Sequence, residues 1–402
     1  FTNCTFIDSI TIPDSVTKIA GNAFFNCSTI RNFIVDDNNP KYSSVDGVLY
    51  NKDKTTLIQY PSNNERNDYT TPDSVTHIEN YAFKNCFNLE NVTISDNVTS
   101  IGDEAFSKCS RLTNITISNS VTSIGNVAFS ECSSLTNITI PNNVSSIGSN
   151  VFDRCNKLES ITVDANNEYY SSTDGIIFNK DKTELIRCPE NNDQTSYSIP
   201  DSVISIKDFA FEDCLNIEYL TVPEGVTYIG FAAFDNCANL TNIVMPESVT
   251  NIGSYAFAWC SNLTSIVIPD GIENIYRYTF SRCFNLTNIT IPNSVINVEN
   301  SAFNDCTSLS DVYYIGTRKQ WNRIYVDTLE NNYLINAKVH FLPNEEGLYG
   351  DYEYRTLDNG TIGITGYRGN DKKAEITIPA IINGSKVTSI EPNAFASNEN
   401  LT

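Results

Sequence analysis

The chain has 402 residues, with 48 Asp and Glu against 26 Lys and Arg, for a formal net charge of −22. No basic run exists to neutralise phosphates, so nucleic acid is excluded as a partner and an anionic membrane surface is disfavoured. No stretch of about 20 apolar residues is present to cross a bilayer, and with charged residues at only 18% the surface is filled by Asn, Ser and Thr, a polar coat suited to an extracellular setting.

Phe1 and Cys4 stand in the same relation as Phe24 and Cys27, so the chain begins inside a repeat and reads as a piece of a longer protein. Any signal or anchor is then expected outside it. The first long segment between repeats contains KYSSVDGVLYNKDKTTLIQYP (41–61), which returns as YYSSTDGIIFNKDKTELIRCP (169–189) with 13 of 21 positions identical. Each reads as a β-hairpin insert, at about 36–70 and 164–198, with a polar N-K-D-K turn between two apolar runs. Asp36 and Asp174 raise the thought of a calcium loop, but no acidic spacing matches the 12-residue loop, and turn chemistry explains them better.

From residue 70 onward a 23-residue frame dominates, as in LTNITISNSVTSIGNVAFSECSS (112–134) and LTNITIPNNVSSIGSNVFDRCNK (135–157). It returns at 240–262, 263–285 and 286–308. Such a period with a recurrent L-x-x-I-x-I core means stacked leucine-rich repeats, because each turn is too small to bury its own apolar face. Within a turn, Leu112, Ile115 and Ile117 alternate inward as a short strand, with Asn114 and Thr116 outward. Pro141, Pro269 and Pro292 end their strands. Val121 and Ile124 form a second extended piece. Gly125 then leads into a short helical or irregular stretch carrying Ala128, Phe129 and Cys132. Phe83, Phe106, Phe129 and Phe152, and later Phe234, Phe257, Phe280 and Phe303, are expected to stack as an aromatic spine.

The cysteines follow the same register, with Cys86, Cys109, Cys132 and Cys155, and then Cys214 through Cys306, each 23 apart. One per turn gives an inward ladder of small buried thiols, since parallel side chains in register have no natural disulfide pairing. Cys188 occupies the place of Tyr60 and is read as packing.

The repeat thus covers residues 1–310. At Asp311 the period fails, and 311–343 reads as a capping segment: strand, amphipathic helix around Trp321, loop and closing strand, with Trp321 and Ile324 as the plug over the exposed core. Residues 344–402 open a second repeat block, a hairpin with an Asp-Asn-Gly turn followed by a truncated repeat at Ile376, Ile378, Val387, Ile390, Ala394 and Phe395. The fold class is therefore a β-rich leucine-rich repeat solenoid of 23-residue turns with short strands and short helical or irregular segments, hairpin inserts and an α+β cap.

These motifs together resemble the BspA-like family of leucine-rich repeat surface proteins. The residues that carry the likeness are the I-T-I-P…V-T-S-I-G…A-F-x-x-C frame, the Y-S-S-x-D-G insert and the Y-x-G-T-x-x-x-W-N-x-I stretch at 314–324. The resemblance implies a secreted or cell-wall-attached protein of a host-associated bacterium or, less often, a parasitic protozoan, acting in adhesion to host proteins, matrix or other microbes. It transfers no catalytic residue and no shared binding motif.

No enzyme is expected. His77 falls on an outward repeat position and His340 in the cap, neither with a triad partner, and cysteines 23 apart cannot cluster around zinc. No cofactor or metal is implied. The N-x-S/T sequons, as at Asn114 and Asn137, follow from Asn and Thr occupying fixed columns. The leading reading is a protein-binding surface, monomeric, taking a host or microbial surface protein. Its candidate residues are Phe209, Phe231, Tyr255 and Tyr278, large rings at or beside the column just before the Ala of A-F, with Tyr228, Trp259 and Tyr276 nearby. The alternative is a passive stalk that presents another domain.

Overall fold

The computed structural model describes residues 3–4, 6–342, 346–349, 352–357, 361–367, 376–382, 385–392 and 394–395. They divide into two units, one of residues 1–196 and 202–217, the other of 197–201 and 218–402.

In the first unit the strand alternation sets the stack. Ile115 is buried between exposed Asn114 and Thr116, and the strand Asn114–Thr116 lies parallel and in register with Asn91–Thr93. Ser123–Ile124 is sandwiched in the same way between Ser100–Ile101 and Ser146–Ile147. Because every partner lies 23 residues away, equivalent side chains stack on one another and their apolar faces merge into one core running from Val48 to Ile177.

The stretch expected to be short helical or irregular is a run of turns with no helix, and its hydrogen bonding explains why. Alternate N–H groups leave the turn: Tyr81, Phe83 and Asn85 donate to the carbonyls of Asp103, Ala105 and Ser107 in the next turn at 2.9, 2.7 and 3.0 Å. The residues between close local turns, as Ala82 to Glu79 and Lys84 to Tyr81. A helix would consume all these donors internally and leave the stack without this ladder. The alternation is made by two left-handed residues per turn, such as Tyr81 and Asn85 (φ 65° and 63°) or Glu104 and Lys108 (φ 51° and 65°). Gly102 needs no unusual φ, but a Cβ there would lie 2.5 Å from the Asn80 backbone nitrogen. The neighbouring turn comes too close for a side chain.

The ring spine forms as expected. Phe83, Phe106, Phe129 and Phe152 stack at 4.7, 5.4 and 6.1 Å between centroids. The twelve cysteines are free thiols, and they do more than fill space. Cys109, Cys132 and Cys155 each donate a thiol hydrogen bond to the Phe carbonyl of the preceding turn at 3.1–3.2 Å.

Each insert has one strand more than the hairpin read from sequence. Tyr42–Val45, Val48–Asn51 and Thr56–Gln59 form an antiparallel meander, as do Tyr170–Thr173, Ile176–Asn179 and Glu184–Arg187. The additional turn is Asp-Gly, with Asp46 and Gly47 at φ 53° and 80° and Asp174 and Gly175 at 53° and 77°; both central residues are left-handed, as the tightest hairpin turn requires. The last strand of each meander then pairs parallel with the stack, at His77–Ile78 and at Ser205–Ile206.

In the second unit Tyr219–Thr221 pairs with Asn242–Val244, and Phe234, Phe257, Phe280 and Phe303 stack at 5.2, 5.6 and 5.3 Å. The parallel ladder persists past Asp311, where the amino-acid pattern loses its period. Asp311–Ile315 continues the parallel ladder from Asn288–Pro292 at the same 23-residue offset, and Lys338–Leu342 follows it at 27. The short helices Arg318–Trp321 and Asn332–Asn336 are accommodated inside that longer turn, the first closed by a capping box between Thr317 and Gln320. The plug expected of Trp321 and Ile324 belongs to other residues. Both are only half-buried, whereas Tyr314, Leu334 and Phe341 are buried, with Trp321 against the edge of Tyr314 at 5.2 Å.

Further along, Tyr352–Thr356, Ile362–Tyr367 and Ser385–Ile390 belong to a five-stranded sheet. Its core is Tyr354, Ile362, Ile364, Ile382 and Ala394, with Ile378, Val387 and Phe395 against it. Ile390, expected inward, is exposed. The Asp-Asn-Gly turn at 358–360 and Ile376's neighbours up to 375 lie outside the described residues.

Candidate functional site

The column that precedes the Ala of A-F is the first of the two left-handed positions in each turn. Phe209, Tyr255 and Tyr278 have φ of 60°, 61° and 59°, and Phe231 stands next to left-handed Ala232. A bulky residue in this region is held there only when its surroundings over-determine it. Here the ladder does so: Tyr255 N–H donates to Arg277, and Phe257 and Trp259 donate to Thr279 and Ser281. The backbone fixes where each Cβ points, and the rings project from a rigid rung instead of a loop.

In the second unit the ring of Phe231 meets Tyr255 at 5.3 Å, and Tyr255 stacks on Tyr278 at 4.7 Å with 24° between planes. Beneath them Ala256, Phe257 and Ala258 are fully buried. The rings are neither core nor free: Phe231 is 38% exposed, and Tyr255 and Tyr278 are half-buried. Their faces are spent on one another, so edges and phenol hydroxyls are what they can offer a ligand. The Arg277 guanidinium lies 5.9 Å from the Tyr278 centroid. Phe209 belongs to the first unit, half-buried, with its carbonyl accepting from the Arg187 guanidinium.

A second group arises from the other left-handed column, the residue before each Cys. Trp259 (φ 59°) is 41% exposed, carries Arg282 over its ring at 4.2 Å and meets Phe284 edge-on at 6.1 Å. Sequence reasoning placed Trp259 only as a neighbour and missed Phe284. The signal was there in the register, since residues 259 and 282 hold one column, but only the ring geometry shows that Trp and Arg meet.

Other chemistry-bearing side chains are engaged in structure. His77 is exposed and bonded to Thr76 Oγ1 at 2.8 Å, while His340 Nε2 lies 2.7 Å from Asp311 and its ring stacks on Tyr313. Burial raises the thiols of Cys86, Cys132, Cys155, Cys260, Cys283 and Cys306, the last to about 12, which suppresses their reactive thiolates. Arg187 is buried between Glu190 (3.0 Å) and Glu212 (3.3 Å). Burial pushes Glu190 up to about 7 despite the attraction of Arg187. Asp36 Oδ1 accepts from Asn38 N–H, turn chemistry as expected. No group of three or more His, Cys, Asp or Glu able to hold a metal occurs among the described residues, and no helix there is long and apolar enough to cross a membrane.

A family model for the BspA type leucine rich repeat region matches in six copies, over residues 1–68, 62–174 and 187–310. A leucine-rich cell surface protein of Faecalibacterium prausnitzii A2-165 is similar at 31% identity, over 80% of this chain and 83% of its own, with a TM-score of 0.61. A leucine-rich repeat protein of Eubacterium ventriosum is similar at 27% identity over 68% and 82%, with a TM-score of 0.58. The pneumococcal vaccine antigen PcpA shares the fold, at 24% identity over 83% and 74% and a TM-score of 0.62. No curated protein matches.

Proposed function

The chain belongs to the BspA-type leucine-rich repeat family, and from that premise we propose that it is a non-catalytic, cell-surface or secreted protein-binding module that adheres to host proteins, matrix or other microbes. The observation that carries this reading is the ring row Phe231, Tyr255 and Tyr278, half-exposed and in mutual contact on a hydrogen-bonded ladder. Aromatic side chains that are already ordered lose little entropy on binding, and interface energy concentrates in such residues. Phe209 is the candidate contributed by the first unit. The surface location follows the description of the F. prausnitzii relative as a cell surface protein.

The test is binding of the full chain to immobilised host matrix and salivary proteins, compared with Tyr255→Ala/Tyr278→Ala. The double variant is expected to weaken binding roughly tenfold or more while keeping its circular dichroism. Unchanged binding by the folded variant removes this site. Absence of any binding by the parent chain favours the stalk.

A further inference from the structure

The turn at 263–285 brings to one cleft three residues that no other turn carries together. Its Gly271 stands where most turns have Ser, as at Ser120, Ser248 and Ser294, and one has Gly225; its Glu273 stands where Thr99, Thr122 and Thr250 are; its Tyr276 stands where Gly125 and Gly253, or Glu79, Lys207 and Glu299, are. Gly271, Glu273 and Tyr276, with Thr250, Asn251 and Asn274, line a cleft of about 320 Å³ in the second unit. In a repeat array the other turns are an internal reference, and a combination found in one turn alone is not required by the stack.

Each change adds something a ligand can use. The serines at this column donate to the carbonyl of the preceding turn, Ser120 to Val98, Ser248 to Val226 and Ser294 to Ile272, at 2.7–2.8 Å. Gly271 has no hydroxyl for the equivalent Val249 carbonyl, which lies 3.3 Å from where its Cβ would be. The absence of that side chain opens the cleft. Glu273 adds an exposed carboxylate. Asn274 Oδ1 accepts from Asn297 Nδ2 at 3.2 Å, which directs the Asn274 amide nitrogen to donate elsewhere. Tyr276 sets a half-buried ring where Gly102, Gly125, Gly148, Gly230 and Gly253 leave bare backbone.

Closely spaced amides, a hydroxyl and a carboxylate match a ligand whose every carbon bears a hydroxyl, since each hydroxyl both donates and accepts. The ring matches the C–H face of such a ligand, and the volume suits one or two residues of it. Glu273 and the net charge of −22 oppose an anionic one. We propose that this cleft is a binding site for a neutral saccharide, a reading that rests on the cleft alone and not on the aromatic row.

The experiment is saturation-transfer NMR and calorimetry on the full chain with the methyl glycosides of glucose, galactose, mannose and N-acetylglucosamine. At least one is expected to bind saturably at millimolar concentration. Tyr276→Gly and Gly271→Ser, each restoring the commonest residue of its column, should weaken it about tenfold or more, and Glu273→Gln, at an exposed position outside the core, should weaken it as well. The proposal is overturned if no glycoside saturates, or if a folded Tyr276→Gly or Glu273→Gln chain binds as the parent does.

Discussion

The two inserts, Tyr42–Gln59 and Tyr170–Arg187, repeat each other at an offset of 128 residues, and their backbones agree in detail. Asn39 Nδ2 donates to the carbonyls of Pro13 and Val16, and Asn167 Nδ2 to those of Pro141 and Val144. Tyr60 N–H reaches Ala82 at 2.7 Å, and Cys188 N–H reaches Ala210 at 2.7 Å. What differs is the polar chemistry buried behind them. Gln59 satisfies the carbonyls of Tyr60, Tyr81 and Ala82 with one neutral amide, and Ser62 bonds Cys27. At the equivalent positions Arg187 holds the Phe209 carbonyl together with Glu190 and Glu212. Even the third partner is inverted, with Lys84 where the second insert has Glu212. The frame therefore demands only that the carbonyl of the left-handed residue be satisfied. Whether a neutral or a charged donor does so is free to vary, and the consequences for stability differ widely.

Truncation should separate the two most. Arg187→Ala leaves the buried Glu190 and the half-buried Glu212 uncompensated and is expected to cost about 3–5 kcal/mol in denaturant unfolding. Gln59→Ala removes only neutral hydrogen bonds and should cost about 1–3 kcal/mol. Equal losses would mean that the charges in the second insert are solvated and the contrast is empty.

A pH series sharpens the same point. Glu190 has its folded pKa raised by burial to about 7 from 4.5, so the folded chain keeps a proton that the unfolded chain releases. The stability this confers is fully present below about pH 4.5 and is lost as pH rises to about 7, an effect on the order of 3 kcal/mol from this group. Protection factors for amide exchange around residues 184–212, with the intrinsic base-catalysed slowing divided out, should rise on acidification from pH 7 to 5, and Glu190→Gln should flatten that dependence. The protection factors around residues 56–84, where Ser62 replaces the carboxylate, should show no such rise. A second insert that loosens on acidification over this range would reverse the assignment.

The smallest effect tests the shared part. Gly47→Ala and Gly175→Ala each force a side chain into the left-handed region, at φ 80° and 77°, and each should cost about 1–2 kcal/mol. Near-equal losses are expected, because the turn is the same in both. A cost at one site alone would show that the two meanders are held differently.

Much of this architecture was legible. The inward Leu112, Ile115 and Ile117, the Phe spine and the thiol ladder all follow from a period of 23, because translation by one turn superposes identical side chains. The meander's Asp-Gly turn was also written in the chain at Asp46–Gly47 and Asp174–Gly175, but the more polar N-K-D-K stretch drew the reading to itself. The candidate rings were legible as a column. Their mutual contact was not, since spacing along a chain says nothing of whether Tyr255 and Tyr278 turn their faces to each other or to solvent.

The amino-acid sequence by itself determined the repeat, the faces of its strands and the identity of its core, because burial of apolar residues at a fixed interval admits one way of stacking. Three things were decided only in the folded stack. Left-handed backbone at Tyr81, Val127 or Tyr255 carries no signature, since these residues avoid that conformation unless ladder bonds from adjacent turns hold them there. The continuation of the ladder through Asp311–Ile315 and Lys338–Leu342 is invisible in a pattern that has lost its period, because strand pairing is made by backbone atoms that every residue shares. The charge on Glu190 depends on the water that the neighbouring turns exclude and on Arg187 brought beside it, a property of position in the assembled stack and not of the residue.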